Sequence, residues 1–131
     1  MEFETKVQFL TQPEHNRRTI VISDIHGHRA WLEKLLKKVD FSEKDILIIV
    51  GDMIEKGPES LNTIRYIMEL CEKYTVYPMM GNVDLWRIQM LLTEDGSLDQ
   101  ELYETNERMR QYWKATFFQD LCREAGVSVK T

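Results

Sequence analysis

The sequence predicts an α/β fold with a parallel sheet in β-α-β-α-β order, flanking helices and a helical C-terminal third. Three observations support this class. Apolar runs rich in β-branched residues recur at residues 19–23, 46–50 and 74–78. Amphipathic helical patterns separate these runs. Polar residues follow each run directly, and the carboxyl ends of parallel strands are where open α/β sheets bind ligands.

The first unit pairs a short strand, residues 19–23, with a helix. Apolar residues after the strand recur at steps of three and four, which predicts one apolar helix face. These residues are Trp31, Leu32, Leu35, Leu36 and Val39.

The second unit contains the strongest strand pattern, residues 46–50, which ends in Gly51 and Asp52. Gly57 and Pro58 predict the start of the next helix, because proline is favoured at the first helical position. The predicted buried face of this helix consists of Leu61, Ile64, Met68 and Cys71. A third strand follows at residues 74–78.

The C-terminal third, residues 98–125, predicts one long helix or two shorter ones, ending at a Gly126 C-cap. Its aromatic residues Tyr112, Trp113 and Phe117 are expected to be core. If part of the fold is missing, some of that face is expected to promote self-association. The whole chain, residues 1–131, is expected to be one incomplete domain with a flexible segment at 1–17.

Composition narrows the functional classes. A chain of 131 residues suits one domain, and its net charge of −5 argues against binding nucleic acid or anionic membranes. Its two cysteines form no C-x-x-C motif and predict neither a disulfide framework nor a zinc ribbon. No secretory signal or apolar span is visible, which favours a cytoplasmic protein.

Polar groups follow all three strands at regular intervals. Asp24 and His26 follow the first, Asp52 the second and Asn82 the third, at steps of 28 residues (24 to 52) and 30 residues (52 to 82). Each step matches one βα unit, so the groups are expected to meet in one crevice. Their oxygen and nitrogen donors suit Mn, Fe or Zn, and Asp52 has two oxygens with which to bridge two ions.

Each of these residues also has a simpler explanation. An Asp or Asn after a strand is more often a helix N-cap, and a lone histidine is more often a surface residue than a ligand. Three clusters at equivalent positions nevertheless favour a metal site over three separate caps. His15 and His28 lack such support and are expected to be exposed.

Three motifs resemble those of the calcineurin-like metallophosphoesterases. They are Asp-Ile-His-Gly at 24–27, Gly-Asp-Met-Ile-Glu-Lys-Gly at 51–57 and Gly-Asn at 81–82. The first two look most like the serine/threonine phosphoprotein phosphatase branch. The resemblance implies the N-terminal half of an αββα sandwich with two divalent metal ions.

The resemblance also assigns roles to residues. Asp24, His26 and Asp52 would hold one metal, and Asp52 would bridge to a second metal that Asn82 contacts. Asp52 and Asp84 would be the catalytic carboxylates. Lys56 stands where this branch usually has a phosphate-binding arginine; it keeps the charge but loses the bidentate fork.

The sequence departs from the family pattern at two further points. Val83 stands where the family usually has a histidine that acts as the probable general acid, and Asp84 has lost the histidine it would orient. No histidine follows His28, although the family draws more histidine ligands from its second half. The sequence is therefore expected to be the N-terminal part of an enzyme, or a decayed copy.

Three functional hypotheses follow. The first is a phosphoesterase that hydrolyses phosphate monoesters by metal-activated water, with a phosphoprotein or a small phosphoester as substrate. The second is a noncatalytic module that binds metal or phosphate, which Val83 and the missing histidines favour. The third is a receiver-like signalling domain, which the helical C-terminal third disfavours.

Overall fold

The computed structural model describes residues 17–85, 120 and 123–126. Three strands and two helices lie within the first of these ranges. They are β1 Thr19–Ile22, α1 Arg29–Lys38, β2 Ile46–Val50, α2 Ser60–Lys73 and β3 Thr75–Met79. The α/β class and the predicted order of elements are confirmed. Helix α2 begins two residues later than Pro58 had predicted (58 to 60).

The sheet is parallel, and β2 lies between β1 and β3. The register places Ile22, Ile49 and Pro78 in one row across the carboxyl end of the sheet. Each strand ends at this row or one residue later, so the loops that follow meet at a single edge. The polar residues predicted to form the site all leave the sheet at that edge.

The core lies between the sheet and the two helices. Leu47 and Ile49 of the central strand are fully buried. Helices α1 and α2 contact each other, which places both on the same face of the sheet. They contribute the buried residues Leu32, Leu36, Ile67 and Leu70. Burial of each large aliphatic side chain contributes about 1.5–3 kcal/mol to folding.

The apolar face predicted for α1 is only partly buried. Leu32 and Leu36 pack into the core, whereas Leu35 and Trp31 are exposed. The five predicted apolar residues form a wider stripe than one packing surface covers. Trp31 and Leu35 therefore lie on a flank of the helix that the sheet does not reach.

The face predicted for α2 was wrong by one position. The buried residues are Ser60, Thr63, Ile67 and Leu70, whereas Met68 and Cys71 are exposed. At the start of the helix the Ser60 hydroxyl accepts a hydrogen bond from the backbone N–H of Glu55, at 2.9 Å, which gives this buried polar group a partner. Small polar residues are needed where the helix start packs against the loops of the site.

The last described residues contact the start of α2. The Glu124 carboxylate accepts a hydrogen bond from the backbone N–H of Asn62 at 2.7 Å, and Arg123 donates to the carbonyl oxygen of Pro58 at 3.3 Å. A carboxylate is favoured at a helix N-terminus, where backbone N–H groups lack helical partners. Gly126 has a φ of +69°, which fits its predicted role as a C-cap.

Several predictions fall on residues outside the described ranges. They concern the flexible segment at 1–17 (all but its last residue), most of the helix at 98–125 and its aromatic residues Tyr112, Trp113 and Phe117. Of that helix, residues 120 and 123–125 are described, and they are helical. No helix in the described part of the chain has the length and apolar character needed to cross a membrane.

An ion pair joins the amino end of the sheet to the end of α1. Arg18 donates to both oxygens of the buried Asp45 carboxylate, at 3.0 and 2.9 Å, and to the carbonyl oxygen of Val39 at 2.7 Å. The Arg18 hydrogen bonds, followed by the backbone N–H of Ser42, hold the pKa of Asp45 below its ordinary 3.8. A carboxyl whose pKa is lowered by folding stabilises the protein above its unfolded pKa, and this contribution is lost as pH falls through the folded pKa.

We therefore expect Asp45→Asn to lower the urea midpoint at pH 7, because the amide cannot accept two hydrogen bonds from Arg18. The difference from the parent chain should shrink as pH falls below about 4. Urea denaturation between pH 2.5 and 7 measures both effects. A difference that stays constant with pH would show that the charge of Asp45 does not stabilise the fold.

Candidate metal centre

The loop between β1 and α1 carries two of the predicted ligands in a left-handed conformation. Asp24 has a φ of 57° and His26 a φ of 45°. Such angles are uncommon outside glycine and cost about 1–3 kcal/mol each. Gly27, with a φ of 71°, completes the turn at no such cost. Left-handed non-glycine residues concentrate at functional sites, where surrounding contacts hold them.

Those contacts come from the loop after β2. The backbone N–H of His26 donates to the carbonyl oxygen of Asp52, and that of Gly27 to Met53, both at 2.9 Å. The N–H of Gly57 donates to the carbonyl oxygen of His26 at 2.7 Å. We call these three backbone hydrogen bonds the loop seam. It continues the β1–β2 pairing beyond the strands and fixes the two loops relative to each other.

The seam brings three predicted ligands together. One donor atom from each of Asp24, His26 and Asp52 lies within 4.8 Å of the others. His26 Nε2 is 3.5 Å from Asp24 Oδ1 and 4.0 Å from Asp52 Oδ2. The Asp24 carboxylate is exposed, whereas His26 and Asp52 are mostly covered. This set of two carboxylates and an imidazole fits a divalent first-row metal.

The orientation of the His26 ring supports the same interpretation. Its Nδ1 lies 3.0 Å from the carbonyl oxygen of Ile54, which accepts but does not donate. Nδ1 therefore carries a proton, and in the neutral ring Nε2 presents its lone pair to the two carboxylates. Histidine ligands of metals are commonly oriented in this way by a carbonyl behind the ring.

Asp52 connects the first loop to the loop after β3. Its φ is 50°, and its Oδ1 accepts a hydrogen bond from the backbone N–H of Val83 at 3.2 Å. Its Oδ2 is the atom that faces His26. The two oxygens therefore face different loops, one toward His26 and the other toward Val83.

Gly81 is required where these loops meet. A Cβ there would collide with the backbone nitrogen and the carboxylate of Asp52, and a Cβ on Gly51 would lie 2.7 Å from the nitrogen of Gly81. The two glycines therefore allow the β2 and β3 loops to approach closely. A third loop thus reaches the site only because both positions lack side chains.

Asp84 holds the second and third loops together. It is only 4% exposed, and its Oδ1 accepts hydrogen bonds from the backbone N–H groups of Met53 at 2.9 Å and Ile54 at 3.2 Å. Its Oδ2 accepts from the N–H of Gly81 at 2.9 Å. These contacts fix Met53, Ile54 and Gly81 relative to one another. Ile54 carries the carbonyl group that orients His26.

Three further predicted residues surround the cluster. Asn82 is exposed at the start of a helical stretch, residues 82–85, beside the Val83 N–H that contacts Asp52. Lys56 is exposed on the β2–α2 loop with a φ of 70°. The structure therefore places both at the same edge as the cluster. His28, which was expected to be exposed, is half-buried, with its ring 5.3 Å from that of Trp31.

Sequence reasoning missed two supporting residues. The Ser23 hydroxyl lies within hydrogen-bond distance of two acceptors, the Asp24 carboxylate and, at 3.0 Å, the carbonyl oxygen of Val50, and can donate its single proton to either. Ser60 binds the backbone of the β2–α2 loop. Serine at a strand end or helix start has many uses, so neither position carried a distinctive signal. Only the contact of Ser23 with Val50 joins distant parts of the chain.

The fold and the cluster define a class of protein: an α/β protein with a group of residues that could hold a metal ion at the carboxyl ends of its parallel strands. A family model described as calcineurin-like phosphoesterase matches residues 17–126. The chain belongs to the calcineurin-like phosphoesterase family. The match covers the whole cluster of Asp24, His26 and Asp52, and also Asn82.

Curated relatives from three bacteria are named symmetrical bis(5'-nucleosyl)-tetraphosphatase. The protein from Shewanella loihica is 46% identical over 68 residues, which cover 51% of this chain and 24% of the relative. The one from Buchnera aphidicola is 45% identical over 65 residues, which cover 49% of this chain and 23% of the relative. The one from Coxiella burnetii is 34% identical over 92 residues, which cover 70% of this chain and 30% of the relative.

A solved structure gives a similar result. A crystal structure provisionally described as that of a diadenosine tetraphosphatase superposes with a TM-score of 0.53 and 32% identity. The match covers 80% of this chain and 45% of that one. This chain spans less than half the length of the solved structure and less than a third of each curated relative.

The Asp84 contacts predict a strong effect of a nearly isosteric change. Asp84→Asn replaces one acceptor oxygen with an N–H₂ group. Because both carboxylate oxygens accept from backbone N–H groups, the new N–H₂ group would face another donor whichever way the amide is turned. We expect a loss of about 1–3 kcal/mol in the free energy of unfolding, the usual cost of a buried unpaired polar group. Urea denaturation measures it, with the exposed Asp40→Asn as the control. Equal stability of both variants would contradict the role of Asp84.

The strained φ of Asp24 predicts opposite effects on stability and metal binding. Asp24→Gly should raise the metal-free free energy of unfolding by about 0.5–1 kcal/mol, because glycine adopts this conformation readily. The same change should weaken metal binding, since it removes a ligand.

Asp24→Asn is the matched control, because asparagine tolerates positive φ but binds metals more weakly than a carboxylate. Denaturation without metal and calorimetric titration with Mn²⁺ give the two measurements. Undiminished Mn²⁺ affinity in Asp24→Gly would remove Asp24 from the ligand set.

Proposed function

We propose that this chain contributes a divalent metal centre to a hydrolase acting on dinucleoside tetraphosphates. The observation that carries the proposal is the cluster of Asp24, His26 and Asp52 within 4.8 Å at the carboxyl edge of the sheet. The names of the curated relatives support the substrate class. Mn, Fe or Zn suits these donors.

Asp24, His26 and Asp52 would hold one ion, and Asp52 with Asn82 a second. Bound ions of this kind polarise a phosphoryl oxygen and activate water. The chain itself fixes the geometry: the loop seam holds the ligands, and Asp84 is a positioning residue for the loops on either side. Lys56 is proposed as a phosphate contact, because its exposed ammonium group lies on the loop that reaches over His26.

Val83 favours an anhydride over a phosphomonoester as the substrate. It stands where the family usually supplies a histidine to protonate the leaving group. An alkoxide from a phosphoserine needs that proton. A nucleoside diphosphate does not, because the second ionisation of a phosphate has a pKa of about 6 and the departing oxygen is stable as an anion at neutral pH. A site with valine here is therefore suited to anhydride cleavage.

Symmetrical cleavage of a dinucleoside tetraphosphate gives two nucleoside diphosphates. We expect the chain, supplied with Mn²⁺, to convert diadenosine tetraphosphate to ADP, and Asp52→Asn to lower the rate by at least about 100-fold through loss of a shared ligand. Chromatographic separation of the products measures rate and cleavage position. Asp40→Asn, at the opposite end of α1, is the control. Activity that survives Asp52→Asn would contradict the proposed centre.

A phosphoprotein substrate is the competing possibility, and Val83 provides the test. Val83→His should raise hydrolysis of a phosphoserine peptide by about 100-fold or more, the usual contribution of a general acid. Hydrolysis of diadenosine tetraphosphate should change by no more than a few-fold. Paired assays on both substrates measure the difference. A parent chain that hydrolyses the peptide faster than the anhydride would overturn the assignment of substrate class.

A further inference from the structure

A groove of about 600 Å³ opens directly beside the metal cluster. Asp24 lines its inner end, so the groove and the cluster share a ligand residue. Its floor and wall are mainly apolar, from β1 and from one flank of α1. The residues that line it include Ser23, His28, Trp31, Lys34 and Leu35. This volume falls within the usual range for small-molecule sites, about 300–1,000 Å³.

Trp31 is the main feature of this groove. Its side chain is 71% exposed although it is large and apolar. Its ring is 5.3 Å from the ring of His28, with an angle of 36° between the two planes. The two rings are therefore held against each other while Trp31 remains open to the groove. Leu35, one helical turn later, is also exposed and extends the same apolar flank.

The position of Trp31 relative to the metal ligands is set by the fold. Helix α1 begins at Arg29, so Trp31 lies about 3 Å along the helix axis from its start. The ligands Asp24 and His26 precede the helix on the same loop. A molecule with a phosphate at the cluster and a planar group a few ångströms away would therefore span the two features.

We propose that this groove is a nucleobase subsite in which one base of the substrate stacks on Trp31. The proposal rests on the proposed function and identifies which part of the substrate lies outside the metal centre. A nucleotide has the required chemistry, since its phosphates suit the cluster and its flat base suits an exposed indole. Lys34, an exposed residue that also lines the groove, carries a positive charge that attracts a polyphosphate.

The groove is better suited to stacking a base on Trp31 than to forming hydrogen bonds with the edge of that base. The Ser23 hydroxyl is already bonded to Asp24 and to the carbonyl oxygen of Val50. Stacking on an aromatic ring tolerates any base, because every base has a flat face. We therefore expect adenine and guanine nucleotides to bind with affinities within a few-fold of each other.

The test compares two ligands that differ in the nucleoside. ADP and inorganic pyrophosphate are titrated calorimetrically into the Mn²⁺-loaded chain. The parent should bind ADP about 5- to 100-fold more tightly, the range expected for stacking of one base. Trp31→Ala should remove this preference and leave pyrophosphate affinity unchanged, and Trp31→Phe should keep most of it.

Met68→Ala is the control, because Met68 is also a large exposed apolar side chain (59%) but lies on α2, outside the groove. Equal binding of ADP and pyrophosphate by the parent would overturn the subsite, as would binding of neither. Unchanged ADP affinity in Trp31→Ala would do so too. If that variant instead changes only the oligomeric state in light scattering, the groove is a contact surface between copies of the chain.

The outcomes separate this subsite from the proposed function. A chain that prefers ADP through Trp31 but hydrolyses no diadenosine tetraphosphate retains the subsite and loses the activity. A chain that hydrolyses that substrate with no preference for ADP over pyrophosphate retains the activity and loses the subsite.

Discussion

Backbone hydrogen bonds between the β1–α1 loop and the β2–α2 loop position Asp24, His26 and Asp52, the three clustered residues of the candidate centre. The N–H groups of His26, Gly27 and Gly57 form this seam with carbonyl groups of the opposite loop. Two of the three donors are glycines, and a Cβ at Gly57 would collide with the carbonyl oxygen of His26, so the seam depends on the close approach of the two backbones. Asp24, His26 and Asp52 can then occupy left-handed conformations that an isolated loop would rarely adopt. The metal cluster is a consequence of that constraint.

The third loop joins this arrangement through an acid and two glycines. Asp84 accepts three backbone N–H groups, two from the β2 loop and one from Gly81. Gly51 and Gly81 leave the space in which the loops approach. Asp84 therefore has a role that does not depend on the histidine which Val83 replaces. The loops can therefore keep their geometry when valine stands in place of the histidine. In the proposed function, Val83 affects which substrates can be cleaved and leaves the metal-binding residues in place.

Much of the fold could be predicted from the sequence, because the strands are short, β-branched and followed by polar residues at regular intervals. The meeting of Asp24, His26 and Asp52 at one edge was predictable for the same reason. The orientation of α2 was not, since the residues that it buries include Ser60 and Thr63, two small polar residues that an apolar pattern does not mark. The support given by Asp84 was equally hidden, because its partners lie about 30 residues away in sequence.

The exposure of Trp31 was also beyond the sequence pattern. Periodicity places it on the apolar side of α1, but only the packed sheet decides which part of that side is covered. His28 was misjudged for a related reason, since its burial comes from Trp31 and the neighbouring loop. Local sequence patterns thus predicted the helices, the strands and the candidate ligands. They did not predict the burial of side chains that depends on packing between distant segments.

The central claim is that Asp24, His26 and Asp52 form a metal centre whose geometry the loops already provide. Anomalous diffraction from crystals of the chain soaked in Mn²⁺ or Zn²⁺ tests it most directly. The account predicts a peak about 2.0–2.2 Å from His26 Nε2 and from a carboxylate oxygen of each aspartate, with the loop seam unchanged. Anomalous peaks only at other positions, or a peak at the cluster that requires the seam to break, would contradict it.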